Sequence, residues 1–259
     1  MKKILIFIMF LPLLCKAQQY NRDSLEQIVE KNMQLDSIKS SDEYLNQLYP
    51  AIMKSTTNAL FRERLMADAT IDILSMNSSE DPKPFVEKYL ANSQTDSLRY
   101  KVNTCYAKFL KKYGPILPGK TAPDFSFTDS NGKTLHVSDL RGKTLLIDIW
   151  GTWCAPCIAE MPYIEKLQQR YASNNKIHIM SIACDKKIEK WKSFLTAHKT
   201  SWHQYIITPE GDKILDDIYH VYGIPRFIII DKEGKIVSSD TLRPSEDEFD
   251  KYFNDITNK

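Results

Sequence analysis

Cys154 and Cys157 are separated by Ala155-Pro156 in the run Trp150-Gly151-Thr152-Trp153-Cys154-Ala155-Pro156-Cys157. Two thiols at this spacing close a very short loop when they pair, so a disulfide between them forms and breaks without unfolding the chain around it. The chemistry such a pair offers is thiol–disulfide exchange, in which a thiolate attacks a disulfide and a second thiol displaces what the first has captured. The other use of the pair is metal binding, and a structural tetrahedral zinc site takes about four protein ligands. The sequence has no second Cys-x-x-Cys, and His136, His178, His198, His203 and His220 are not at ligand spacing. No metal is expected.

The elements that must position the pair are legible from apolar patterning. Thr144 to Trp150 and Ile177 to Ala183 are nearly continuous apolar runs, as in strands covered on both faces. Between them a helix is predicted from the cysteines to about Tyr171, with Ile158, Met161, Ile164 and Leu167 on one side. A right-handed crossover then sets the two strands parallel. Around this unit, Phe125 to Thr128 and Thr134 to Val137 flank Asp129-Ser130-Asn131-Gly132 as a hairpin. Helices are predicted from about Lys186 to His198 and from Lys213 to Tyr222. Phe227 to Asp231 and Lys235 to Val237 form an antiparallel pair. The last helix is predicted to begin at Ser245, its hydroxyl capping while Glu248 reaches back.

From Ser24 to about Tyr113 the apolar residues recur at helical spacing, as in Leu98, Val102, Cys105, Tyr106, Phe109 and Leu110. Asn77-Ser78-Ser79 and Asp81-Pro82 divide this half into four or five short helices, and the breakers from Tyr113 to Gly119 mark the domain boundary. The N-terminus reads as a secretory signal: Lys2 and Lys3, an apolar run from Ile4 to Leu14, then Cys15-Lys16-Ala17, with cleavage after Ala17. Acylation at Cys15 is the lipoprotein alternative. The run is about half of the ~20 residues a membrane span requires. The expected organisation is residues 1–17 as signal peptide, 18–113 as an all-helical N-terminal domain and 117–259 as an α/β domain.

The chain has 259 residues and a formal net charge of +2, without the concentrated basic stripe that nucleic-acid binding requires. Cleavage leaves Cys105, Cys154, Cys157 and Cys184. Cys105 falls in an apolar stripe and is expected to be buried and inert, while Cys184 follows a strand end, either as a further redox thiol or as core.

Residues from about Leu117 onward resemble the TlpA/ResA-like exported thiol-disulfide oxidoreductases of the thioredoxin superfamily. The matching pieces are Ala122-Pro123-Asp124-Phe125, Leu140-Arg141-Gly142-Lys143, the block from Leu146 to Pro162 and Gly223-Ile224-Pro225. The resemblance implies a thioredoxin-like fold, a central mixed sheet flanked by helices, behind the small all-α domain. It implies Cys154 as nucleophile at a helix N-terminus, where unpaired N–H groups favour the thiolate, and Cys157 as resolving thiol. Asp148, an acid inside an apolar strand whose pKa desolvation raises, matches the buried aspartate that accepts the Cys157 proton. Glu160 matches a glutamate near the dithiol that modulates the thiols. Ile224-Pro225 is expected to be cis and, with Trp153, to dock the client. Trp150 is expected in the core and Trp153 at the rim.

The resulting expectation is a periplasmic protein-disulfide reductase working through a mixed disulfide with disulfide-containing client proteins. It requires no dissociable cofactor and takes electrons from a membrane thiol carrier. Apocytochrome c is one client by family analogy. The alternatives are a disulfide oxidase or isomerase of the same fold, a peroxiredoxin-like thiol peroxidase, or a non-catalytic binding module.

Overall fold

The computed structural model describes Ser24, Gln27, Ile28, Lys31, residues 41–75 and residues 80–258. The signal segment with Cys15 and Ala17, and the breaker Asn77-Ser78-Ser79, lie outside the described residues. The chain divides into two compact units between Lys112 and Tyr113.

In the first unit, α1 (Ser41–Ser55), α2 (Ala59–Ser75), α3 (Lys83–Asn92) and α4 (Asp96–Tyr113) follow one another. Leu48, Ile52, Leu65, Ala69, Ile73 and Phe85 meet in one apolar cluster, as their helical spacing requires. Glu63 on α2 ties down the turn into α4 by accepting from the backbone N–H and hydroxyl of Thr95, each at 2.8 Å. Cys105 corrects an expectation. Val102 and Phe109, two helical turns apart, form the buried line of α4, and Cys105 lies at its margin, half-exposed.

The second unit is built on one seven-stranded sheet in the order β2-β1-β5-β4-β3-β6-β7. Its strands are β1 (Ser126–Thr128), β2 (Thr134–His136), β3 (Thr144–Trp150), β4 (Ile177–Ala183), β5 (His203–Ile207), β6 (Arg226–Ile230) and β7 (Ile236–Ser238). β3, β4 and β5 are parallel neighbours, and the remaining pairings are antiparallel. The crossover from β3 to β4 is α5 (Ala155–Tyr171). It is followed by α6 (Ile188–Ala197), α7 (Pro209–Asp217) and α8 (Phe249–Thr257). Leu146 and Trp150 on β3, Ile164 and Leu167 on α5, Trp191 on α6, and Phe249 and Phe253 on α8 share one core. Leu145, Ile147 and Ile149 are buried on the other face of β3, which explains its nearly continuous apolar run.

Two elements depart from the sequence-based expectation. β5 carries His203 and Gln204 before Tyr205, so too few consecutive apolar residues announce it; hydrogen bonding to β4 on one side and β1 on the other makes it a strand. α7 starts at Pro209 rather than Lys213, because the Thr208 side chain caps it by accepting from Gly211 N–H at 3.0 Å. It ends at Asp217, and the chain then passes through His220 at a φ of 53°. Gly211 itself is dictated by packing: a Cβ there would stand 2.1 Å from the Ser126 carbonyl oxygen of β1.

Candidate functional site

Side chains alternate along a strand, so Leu146, Asp148 and Trp150 point to the same face of β3. Leu146 and Trp150 pack in the cluster that contains Cys154, Cys157 and the inner side of α5. Asp148 therefore faces the layer that carries the dithiol. After Trp150 the chain turns through Gly151, where a Cβ would come within 2.9 Å of the Trp153 indole. Only glycine lets that ring fold back over the turn. Trp153 is 68% exposed and Trp150 fully buried.

Cys154 and Cys157 are joined in a disulfide with their Cα atoms 5.2 Å apart. Cys154 is the N-cap of α5, and its Sγ accepts from the Cys157 N–H at 3.2 Å. Pro156 sits in the first turn, where a missing N–H leaves no bond unmade. Cys154 is 5% exposed and Cys157 1%. The outer cysteine, Cys154, is the more accessible of the two.

Three buried acids surround this turn. Asp148, 2% exposed, accepts from the Ser181 hydroxyl on β4 at 2.8 Å. Ser181 in turn accepts from the Trp202 indole N–H at 2.7 Å. Asp185, just beyond β4, accepts from the Thr152 N–H at 2.9 Å and the Thr152 hydroxyl at 2.5 Å, fixing the loop that leads into Cys154. Glu160 on α5, 4% exposed, accepts from the Ser245 N–H at 3.0 Å and the Ser245 hydroxyl at 2.7 Å. None of the three forms an ion pair among the described residues; each is held by hydroxyl donors, two of them with a backbone N–H in addition.

The Glu160 contact corrects the expected capping box. A buried carboxylate needs donors, and Ser245 supplies two of them, so α8 starts later, at Phe249, with no side-chain cap. Ser245→Ala removes one charge-assisted bond from a buried acid and is expected to destabilise the fold by about 1–3 kcal/mol. Chemical denaturation of wild type, S245A and S245T checks it, the threonine keeping most of the stability.

Burial raises the Asp148 carboxyl to about 7 from an ordinary 3.8; Ser181 pulls it down and the negative charge of Glu160 pushes it up. Its Oδ1 is buried without a hydrogen-bond partner. The polar row on this face continues in register from Asp148 to Ser181 to Gln204 across β3, β4 and β5. Cys184 is half-buried, and burial, reinforced by Asp212, Asp185 and Asp148, pushes its thiol up to about 12. Such a thiol stays protonated and is a poor nucleophile.

On the approach to β6 the Ile224–Pro225 peptide is cis. Ile224 packs against the cluster containing both cysteines, and Tyr222 is exposed two residues before it. The sequence reasoning singled out Asp148, Trp153, Cys154, Cys157, Glu160, Ile224 and Pro225. It missed Asp185, Ser181 and Trp202 and read Ser245 as a helix cap; all four act as donors or clamps from loops and neighbouring strands. Their only signal would have been the need of each buried acid for a partner.

A disulfide at the head of the helix that follows the central strand of such a sheet is the thioredoxin-like arrangement, and it places the chain among the thiol-disulfide oxidoreductases. Residues 117–256 match the family model described as Redoxin, and the chain belongs to that family. Thiol-disulfide oxidoreductase ResA of Bacillus thuringiensis (strain Al Hakam) is 31% identical over 154 residues, 60% of this chain and 87% of the relative. ResA of Bacillus subtilis (strain 168) is 30% identical over 139 residues, 54% of this chain and 75% of the relative. A crystal structure from Bacteroides vulgatus assigned to the thiol-disulfide oxidoreductases superposes with a TM-score of 0.52 at 34% identity, over 55% of this chain and 98% of that one. The protein is a ResA/TlpA-like member of the thioredoxin superfamily, a thiol-disulfide oxidoreductase.

Proposed function

We propose that the protein is an exported protein-disulfide reductase. The observation that carries the direction is the trio Asp148, Glu160 and Asp185, buried around the dithiol turn and paired only with neutral donors. The reduction potential of a dithiol falls when its reduced, thiolate-bearing form is disfavoured. Buried acids without a cation raise the cost of a thiolate beside them, which favours the oxidised state, and the reduced protein then gives its electrons away.

In this mechanism Cys154 attacks the client disulfide, and the first client sulfur leaves as a thiolate. Asp148 takes the proton of Cys157, which then displaces the second client sulfur and closes the Cys154–Cys157 bond. Glu160 modulates the thiols through its charge. Trp153 and the Ile224-Pro225 loop dock an extended client segment, the Ile224 backbone offering strand-like pairing. The signal-like N-terminus supports a periplasmic location, where nicotinamide-driven reductases do not work, so the electrons come from a membrane thiol carrier. No helix among the described residues is long and apolar enough to cross a membrane.

Equilibration of the full-length protein with glutathione buffers tests the direction. A potential near the about −270 mV of thioredoxin is expected; one above the about −180 mV of isomerases overturns the reductase assignment.

A further inference from the structure

We infer that Trp202 and Ser181 are positioning residues that decide which oxygen of Asp148 carries the catalytic proton. The indole N–H holds the Ser181 hydroxyl turned toward Oδ2, leaving Oδ1 as the one oxygen that exchanges a proton with the dithiol. This rests on the role of Asp148 proposed above.

The deduction follows from counting hydrogens. An indole nitrogen only donates, and a serine hydroxyl has one hydrogen and two lone pairs. Trp202 Nε1 donates to Ser181 Oγ at 2.7 Å and so occupies one lone pair. Ser181 is fully buried, and its remaining partner is Asp148 Oδ2 at 2.8 Å. If the proton of Asp148 sat on Oδ2 and pointed at Ser181, the serine hydrogen would be left buried with no acceptor, which carries the full penalty of desolvating an unpaired donor. The chain of donors therefore runs one way, from Trp202 to Ser181 to Oδ2. Oδ1 is buried and has no hydrogen-bond partner, so both of its lone pairs are free, whereas Oδ2 already accepts from Ser181.

The consequence for resolution of the mixed disulfide is specific. The proton on Cys157 Sγ passes to Asp148 Oδ1. The sulfur so freed attacks Cys154 Sγ, and the client sulfur leaves with the electron pair of the broken S–S bond and takes a proton from solvent. Asp148 afterwards returns its own proton to solvent. Glu160 on α5 and Cys184 at the end of β4 interact with the Asp148 charge. Cys157 lies on the same face, Asp185 follows Cys184, and the in-register neighbours on β5 and β6 are neutral, Gln204 and Phe227.

The test compares full-length wild type with S181A, W202F, S181T and D148N. The Asp148 carboxyl is titrated by carbon NMR in the oxidised proteins, and the rate of mixed-disulfide resolution is followed from pH 5 to 9 with a disulfide peptide. S181A removes the donor to Oδ2, and W202F releases the serine hydrogen so that Oδ2 can be protonated. Each is expected to raise the titration midpoint by about half to one pH unit and move the rise in rate with it. S181T, which keeps a hydroxyl, restores both. Midpoints unchanged or lowered in S181A and W202F, alongside an altered pH profile in D148N, overturn the inference and leave the role of Asp148 standing. A wild-type pH profile in D148N overturns both.

Discussion

Cys157→Ser is expected to convert the protein into a stoichiometric trap for its client, whereas Cys154→Ser abolishes reaction altogether. Cys154 is the N-cap of α5, with the Cys157 N–H directed at its sulfur, and it is the more exposed of the pair. Its thiolate is the species that opens a client disulfide, and serine, which does not ionise near neutral pH, lowers disulfide reduction to the uncatalysed rate. Cys157 lies deeper, within the first turn of α5. Its loss leaves the first exchange intact and removes the displacement that follows, so a one-to-one mixed disulfide accumulates and is released by dithiothreitol. Cys184 cannot stand in as the displacing thiol, because its environment keeps it protonated to about pH 12. Intact mass spectrometry after incubation with an oxidised peptide checks both variants, with Cys105→Ser as background because Cys105 is half-exposed. A mixed disulfide on the Cys154→Ser protein instead would reverse the roles of the two sulfurs.

The β3–α5–β4 unit was legible because both of its strands are covered on each face and so read as nearly continuous apolar runs. A helix with its inner residues at Ile164 and Leu167 separates them. β5 was not, since its strand character comes from neighbours on both sides rather than from its own residues. The same distinction holds within the site. Asp148 announces itself as a charge inside an apolar strand, and the cysteines by their spacing. Ser181, Trp202 and Ser245 are ordinary residues in sequence, and they acquire a role when folding places them against a buried carboxylate. Ser245 shows how a local rule loses to a tertiary one. Its position invites a helix cap, yet a buried glutamate without a cation outcompetes the helix end, which remains accessible to water.

Asp148→Asn is expected to make the protein more stable and less active at the same pH. An aspartate in the unfolded chain titrates near 3.8, whereas in the fold burial, with Glu160 adding repulsion, raises Asp148 to about 7. The folded chain binds this proton more tightly, so the stability it contributes is fully present below the unfolded value and is lost as pH rises through about 7. Above that pH an ionised Asp148 costs on the order of 4 kcal/mol relative to its protonated state. Asparagine carries no such charge, so urea unfolding of the oxidised proteins should find D148N close to wild type at pH 4 and more stable by up to that amount at pH 8. Activity moves the other way. The carboxylate accepts a proton only when ionised, so resolution by wild type rises through about pH 7, while D148N waits for Cys157 to ionise unaided and is slower by about 10²-fold at neutral pH. A gain in stability coupled to a loss of rate marks an acid kept for chemistry at the expense of the fold. D148N equally destabilised at both pH values, with an unshifted rate profile, would instead make Asp148 a structural acid.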